Sequence, residues 1–285
     1  MKLILSRKGF DSSAGGCPSP WFPDGRAYAL PIPDRRSRIA YRDVTFRGQN
    51  LGTLIRNLNG DARAGLRKAH LDPDVIPDSL PRSEGWRPCL GQSGSAQGHL
   101  EKQGVGPGDL FLFFGLFRAV EKRRGGWRFI KESRPFHGLW GWLQIGSVHR
   151  IDELAKGDLP WADYHPHCHG EPDPGNTLYL ASDSLSHSGA LADYPGAGTF
   201  PVMTPNHRLT APNARNTTDW YLPKWFFPTS TADAMTYHQN LDRWKPADDG
   251  CYLKSAARGQ EFVVDITHKP HALDWVRNLL EGVDQ

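Results

Sequence analysis

The sequence predicts an α+β fold, and three observations carry that expectation. Apolar runs of strand length recur at residues 2–6, 110–118, 138–146, 176–181 and 261–266. The two stretches with helical character, residues 53–68 and 272–280, do not alternate with these runs in a regular βαβ rhythm. Thirty glycines and 23 prolines in 285 residues punctuate the remainder, which points to short elements joined by long ordered loops.

Each element has its own reason. Lys2-Leu3-Ile4-Leu5-Ser6 reads as a strand that breaks into a polar, Gly-containing loop over residues 7–20. Residues 27–33 look like a strand that Pro31 confines to a sheet edge. Over residues 53–68, Leu54, Ile55, Leu58 and Leu66 supply a helix's apolar contacts, against the weakening effect of Gly60 and Gly65. The chain from 82 to 108 is rich in Gly, Ser, Gln and Pro, and residues 91–99 are expected to form a mobile surface loop that closes over a ligand. A Gly-Pro-Gly-Asp turn at 106–109 then opens the almost wholly apolar run 110–118, a buried central strand with 138–146 as its neighbour. Between them, residues 121–126 form a hairpin-like excursion. Strands at 176–181 and 261–266 and an amphipathic helix at 272–280 complete the chain, and no internal repeat appears.

Composition narrows the function classes. A chain with 38% hydrophobic, 11% aromatic and 23% charged residues is an ordinary globular protein, not a disordered one. No apolar run approaches the roughly 20 residues of a membrane helix, and Leu3-Ile4-Leu5 lacks the features of a signal peptide. A cytoplasmic location without a membrane partner is therefore expected. Cys17, Cys89, Cys168 and Cys251 form no CxxC pair, so neither a disulfide framework nor a zinc knuckle is indicated. Nothing in the sequence sets the oligomeric state.

Charge is unevenly distributed. The net charge is +3, yet residues 1–70 hold thirteen Lys and Arg against five Asp and Glu, a local excess of +8. Arginine dominates this excess, and its planar fork suits phosphate. Arg35, Arg36 and Arg38, with Arg26 upstream, are the candidate DNA-binding residues.

The densest chemistry lies in the first loop, where Arg7, Lys8, Phe10, Asp11, Ser12 and Ser13 follow a strand directly. Lys8 beside Asp11 would keep that carboxylate ionised, and the two serines can hold a phosphate or a water. His70, Asp72 and Asp74 form a second group, suited to holding a water or sugar hydroxyls. The His165-Pro166-His167-Cys168-His169 run has metal-capable side chains, but alternate residues of a proline-locked segment rarely converge. A structural or substrate-contacting role is expected for it, with no metal and no cofactor. The aromatic segment 220–226 around Lys224 reads as core packing, with base stacking as its rival. Walker, dinucleotide-binding and zinc-deaminase signatures are absent, which removes support for the usual nucleotide donors and for deamination.

Two resemblances add to this reading. The Gly-Asp turn before residues 110–118, with Gly-x-x-x-Gly over 138–146, resembles the core of barrels related to pseudouridine-synthase-archaeosine-transglycosylase domains, which bind modified bases. More broadly, residues 6–20, 24–26, 70–74, 109–118, 141–146, 176–179, 222–226 and 259–262 resemble the bacterial and phage nucleotide-modification-associated domain family, third type. These stretches run nearly end to end, which implies a single catalytic domain over 1–285, with a mixed, largely antiparallel and barrel-like sheet flanked by helices. The resemblance implies work on double-stranded DNA that carries modified bases. The chain is also similar to an antiphage DNA glycosylase that removes glucosylated hydroxymethylcytosine.

The residues permit that reaction. Cleaving an N-glycosidic bond passes through an oxocarbenium-like sugar that a carboxylate must stabilise, and Asp11 is the first candidate, with Lys8 and Asp74 as further catalytic candidates. The base must also be extruded from the duplex. Phe10, Trp140, Trp142 and Tyr179 are expected as stacking walls, and Gln144, Asn176 and Gln260 as readers of its polar edges. Arg7, Ser12, Ser13, His70 and Asp72 complete the expected substrate contacts. The rivals are a transferase that hypermodifies DNA bases and a non-catalytic reader of modified DNA.

Overall fold

The longest apolar runs become the strands of one large mixed sheet. The computed structural model describes residues 1–155, 157–169, 173–185, 191, 193–281 and 283. Strands β1 (Lys2–Arg7), β2 (Ser19–Trp21), β3 (Thr45–Phe46) and β4 (Gln49–Asn50) precede helix α1 (Leu51–Asn59). β5 (Cys89–Gln92), helix α2 (Gly94–Lys102), β6 (Leu110–Arg123), β7 (Gly126–Phe129) and β8 (Phe136–Arg150) follow. The chain continues through β9 (Thr177–Ala181), β10 (Ala197–Thr199), β11 (Asp219–Pro223), β12 (Trp244–Pro246), β13 (Gly250–Lys254) and β14 (Glu261–Asp265) to helix α3 (Pro270–Leu280).

The main sheet runs β14-β1-β6-β8-β9-β5, with β2 and β7 paired to β6 and β10 paired to β8. β1 and β2 lie parallel to β6, and the other pairs are antiparallel. This is a single α+β domain with a largely antiparallel sheet. The end strands β14 and β5 are not paired to each other, so the sheet stays open. A side chain nevertheless spans the gap, since Gln92 Nε2 on β5 donates to Glu261 Oε1 on β14 at 2.6 Å.

Both faces of the sheet are buried, as continuous apolar strands require. Leu3, Leu5, Leu112, Phe114, Phe262 and Val264 face one core, covered by α3 and by the small sheet β11-β13-β12. Ile4, Phe111, Phe113, Leu143 and Val263 point the opposite way, towards Leu90, Leu100 and Tyr179. The two-residue period of a strand divides neighbouring residues between the two cores. A third cluster gathers Phe10, Tyr28, Tyr41, Leu51, Leu54 and Ile55 beneath α1.

Three expectations change. The helix expected over 53–68 spans Leu51–Asn59: Asn50 accepts the Thr53 N–H, and Gly60 ends it in the left-handed region at φ 76°. The chain then folds back, bringing Gly65 so close that a Cβ on Gly52 would sit 2.6 Å from its Cα. The loop expected over 91–99 is instead the end of β5 and most of α2, held by buried Leu100 and Gln97 in spite of poor helix propensity. Residues 27–33 form isolated bridges from Ala27 to Trp21 and from Pro33 to Ala69 rather than a strand. Among the described residues no helix is long and apolar enough to cross a membrane.

Asp74 anchors the approach to β5. Its backbone exchanges two hydrogen bonds with Cys89, at 2.9 and 3.0 Å. Its buried carboxylate takes both arms of Arg82, at 2.6 and 2.7 Å, and a hydrogen bond from the Tyr164 hydroxyl. Removing one partner of a buried ion pair strands the other. Asp74→Ala is therefore expected to cost about 3 kcal/mol of stability in urea unfolding; a loss below about 1 kcal/mol would contradict this anchoring role.

Three buried histidines set an acid limit. Burial depresses the pKa of His137 to about 3 and those of His207 and His238 to about 4. Each ring would bind its proton near pH 6.5 once unfolded, so the unfolded state holds more protons throughout the window from 6.5 down to 4. Stability should fall as pH drops through that window, by on the order of 2 kcal/mol per histidine at pH 5. Denaturant midpoints at pH 7.5 and pH 5 test this, and equal midpoints would refute it.

Candidate active site

A cavity of about 340 Å³ opens where the first loop, residues 70–72, the end of β5 and residues 166–169 and 173–176 meet. That volume falls in the range of small-molecule sites. Its lining is polar and charged: Arg7, Lys8, Asp11 and Ser13, then Arg36, His70 and Asp72, then Gln92, His167, His169, Asp173, Asn176 and Gln260.

The parallel pairing of β1 with β6 delivers the first loop. Lys8 N–H continues the ladder to Phe114 O at 2.8 Å, and Gly9 turns the chain at φ 97°. The loop then closes on Asp11, whose Oδ1 accepts from Ser13 N–H, Ser13 Oγ–H and Ala14 N–H, each at 2.7 Å. Burial opposes ionisation of Asp11, but these bonds and the charge of Arg7 leave its pKa below the ordinary value. Arg7 Nη1 donates to Ala257 O at 3.0 Å, and among the described residues Arg7 makes no salt bridge. Burial lowers its pKa, and Asp11 offsets part of that effect.

Lys8 points its ammonium at Glu261, 3.4 Å from Oε1, with both side chains nearly buried. Ser6 Oγ and Gln92 Nε2 donate to the same oxygen, at 3.0 and 2.6 Å, while Glu261 Oε2 is buried without a hydrogen bond among the described residues. Burial raises the Glu261 pKa despite Lys8 and the two hydrogen bonds.

On the other side, Asp72 Oδ1 accepts the Gly91 N–H at 2.6 Å and faces His165 Nε2 at 3.4 Å. Burial would raise its pKa, yet His165, Lys8 and His167 hold it well below the ordinary carboxylate range. His70 Nδ1 lies 2.9 Å from Asp34 Oδ2. His167 is held twice by Asn176, whose Oδ1 lies 2.7 Å from its Nδ1 and whose Nδ2 donates to its carbonyl at 2.7 Å. Burial depresses the His167 pKa to about 4, against the pull of Asp72. One ring nitrogen from each of His70 and His167 and one carboxylate oxygen of Asp72 lie within 4.8 Å of one another.

Residues far apart in sequence thus converge here. Arg7, Lys8, Asp11, Ser13, Arg36, His70, Asp72, Asn176 and Gln260 share one cavity. Other expected site residues lie elsewhere. Asp74 is committed to Arg82 and lines a separate, water-sized cavity of about 20 Å³. Phe10 is 1% exposed and packs edge-on against Tyr41. Gln144 is buried, donating to Gly108 O and accepting from Ser182 Oγ. The buried Tyr179 hydroxyl donates to Gln97. Ser12 is exposed on the loop outside the cavity lining. Trp140 stacks on Phe113, and Trp142 Nε1 donates to Pro195 O. The stacking walls expected from Phe10, Trp140, Trp142 and Tyr179 are therefore core residues, and the aromatic surfaces in the cavity are imidazoles.

The basic face is partly spent on local acids. Arg26 pairs with Asp24 at 2.5 Å, Arg38 with Asp163 at 2.5 Å, and Arg67 with Asp61. Arg35 is exposed, and among the described residues it makes no ion pair. Arg36 lines the cavity, 3.7 Å from Asp34.

Sequence reasoning missed Glu261, Gln92, Gly91 and Asp34. Glu261 carried a signal, a lone carboxylate opening the apolar strand Glu261–Asp265. Gln92 and Gly91 lay hidden in a stretch that reads as loop, and Asp34 among arginines that read as a phosphate-binding surface.

Comparison with curated proteins and with solved structures finds no significant match. The profile of the family described as nucleotide modification associated domain 3 matches residues 2–265. That match spans nearly the whole fold, from β1 through β14 and every wall of the cavity, and the chain belongs to this family.

Proposed function

We propose that the protein is a DNA N-glycosylase that excises a hypermodified pyrimidine, a glucosylated hydroxymethylcytosine, from phage DNA in the cytoplasm as antiviral defence. The observation that carries this reading is the cavity itself: an ionised, loop-fixed Asp11 shares about 340 Å³ with Arg7, Lys8, Arg36 and the polar edges of Asn176 and Gln260. Family membership supports the link to modified nucleotides.

In this mechanism the target nucleotide leaves the duplex and enters the cavity. Arg7 and Arg36 hold its flanking phosphates, and Asn176 and Gln260 bond the base edge. As the N-glycosidic bond breaks, positive charge grows on C1′ and O4′ of the deoxyribose, and the Asp11 carboxylate stabilises it electrostatically. A water adds to C1′, its proton passing to the departing base, so the products are free base and an abasic site. Lys8 contributes charge rather than a nucleophilic amine, because its ammonium is engaged by Glu261.

Incubation with glucosylated hydroxymethylcytosine DNA, followed by mass analysis of the released base and alkaline cleavage of the strand, tests the reading. Free base and alkali-labile sites are expected, with no strand nicking before alkali. Asp11→Asn should slow release by about 10²-fold or more while DNA affinity holds. Undiminished release would remove Asp11 from the mechanism, a heavier base still attached would indicate a transferase, and unchanged DNA a reader. Affinity should also fall steeply with salt, and Arg36→Ala should reduce the slope of log K against log salt by about 1. A salt-independent affinity would rule out phosphate contact.

A further inference from the structure

We propose that His70, Asp72 and His167 form a mononuclear site for a divalent first-row transition metal inside the cavity. Their donor atoms already lie within 4.8 Å of one another. A metal held at 2.0–2.2 Å needs donors somewhat closer, which side-chain movement of roughly 1 Å provides. From the sequence alone no metal is expected here, and the 165–169 run has a structural or substrate-contacting role. The ligands do not come from alternate histidines of the 165–169 run, but from His167 alone and from a His-x-Asp pair on a distant segment.

The atoms around the triad are arranged as ligand supports. His70 Nδ1 faces the Asp34 carboxylate and His167 Nδ1 faces the Asn176 carbonyl oxygen, both pure acceptors, so each Nδ1 is the donor and each Nε2 is the nitrogen left to meet a metal. The Asn176 orientation is fixed independently, because its Nδ2 donates to the His167 carbonyl. Asp72 has one oxygen tied to the Gly91 N–H. Oriented imidazoles and a hydrogen-bonded carboxylate are what a metal site requires beyond its ligands. Gly91 completes the support: a Cβ there would sit 2.2 Å from His167 Cδ2 and 2.8 Å from Nε2, so only glycine lets the ring take this position.

The donor chemistry selects the ion. Two imidazoles and one carboxylate suit Zn²⁺, Fe²⁺, Mn²⁺ or Co²⁺, whereas Ca²⁺ and Mg²⁺ prefer oxygen throughout. Three protein ligands leave coordination positions open, the pattern of a catalytic rather than a structural site. The surrounding cavity provides the room for a water or a substrate oxygen at those positions.

This inference does not rest on the glycosylase reading. Its test is a titration of the full chain with Co²⁺ in the absence of DNA, read by visible absorption, with bound Zn²⁺ and Fe²⁺ measured by elemental analysis of the purified protein. One metal ion per chain is expected. His70→Ala and His167→Ala should weaken Co²⁺ binding at least 100-fold, and Asn176→Ala or Gly91→Ala by 10- to 100-fold. Failure of the wild-type chain to bind Co²⁺, or unchanged binding in a folded His167→Ala variant, would overturn the site. If His167→Ala does not fold, the wild-type titration and Gly91→Ala decide the matter. A protein that binds metal but releases no base defeats only the glycosylase reading; one that releases base but binds no metal defeats only this one.

Discussion

The Glu261 carboxylate is the interaction around which the molecule is arranged. It opens β14, lies wholly buried, and collects Ser6 from β1, the Lys8 ammonium from the following loop and Gln92 from β5 at the far edge of the sheet. Burying a carboxylate is costly, and the cost is offset only when donors and a counter-charge surround it. Here those partners come from both ends of an open sheet, so meeting the demands of one acid links the sheet's two edge strands. The cavity lies at that junction, bordered by Lys8, Gln92 and Gln260.

Much of this was legible because local pattern and tertiary environment agree. Residues 110–118 and 138–146 are apolar on both faces, and they are buried on both faces in β6 and β8. Residues 272–280 have helical period, and α3 buries Ala272, Val276 and Leu279. Legibility fails where a distant partner decides. Residues 91–99 are rich in Gly and Ser, which weaken a helix, yet Gln97 is recruited by Tyr179 and Leu100 by the sheet. The helix after Thr53 stops at Gly60 because the chain must return Gly65 to Gly52.

The same distinction sorts the site residues. The chemical types in the first loop and at 70–72 marked them out, and the fold unites them with Asn176 and Gln260. Asp74 has the same chemistry two residues from Asp72, but a nearby Arg82 claims it. Sequence distance and residue type do not reveal which of two acids meets a cation; the packing of the 77–82 turn decides that. Aromatic residues were the least readable class, since a ring that can stack on a base can equally fill a core. Here four of them fill the core.

Asp11 and Asp72 share the cavity, and their surroundings differ. Asp72 is almost buried, tied to the Gly91 N–H and faced by His165, and it lies close to two imidazoles. Such a carboxylate suits a fixed cation. Asp11 is held by its own loop, which uses one oxygen three times and involves no strand of the sheet. Among the described residues it makes no salt bridge, and Arg7 moderates its charge without cancelling it. A sugar that becomes cationic as its base departs needs such an unspent negative charge, while a water that must add to it needs a polarising centre nearby. On the proposed reading, Asp11 and the group of His70, Asp72 and His167 would meet these two needs within one cavity, because the loop after β1 and the segment before β5 are drawn to the same side of the Glu261 clamp.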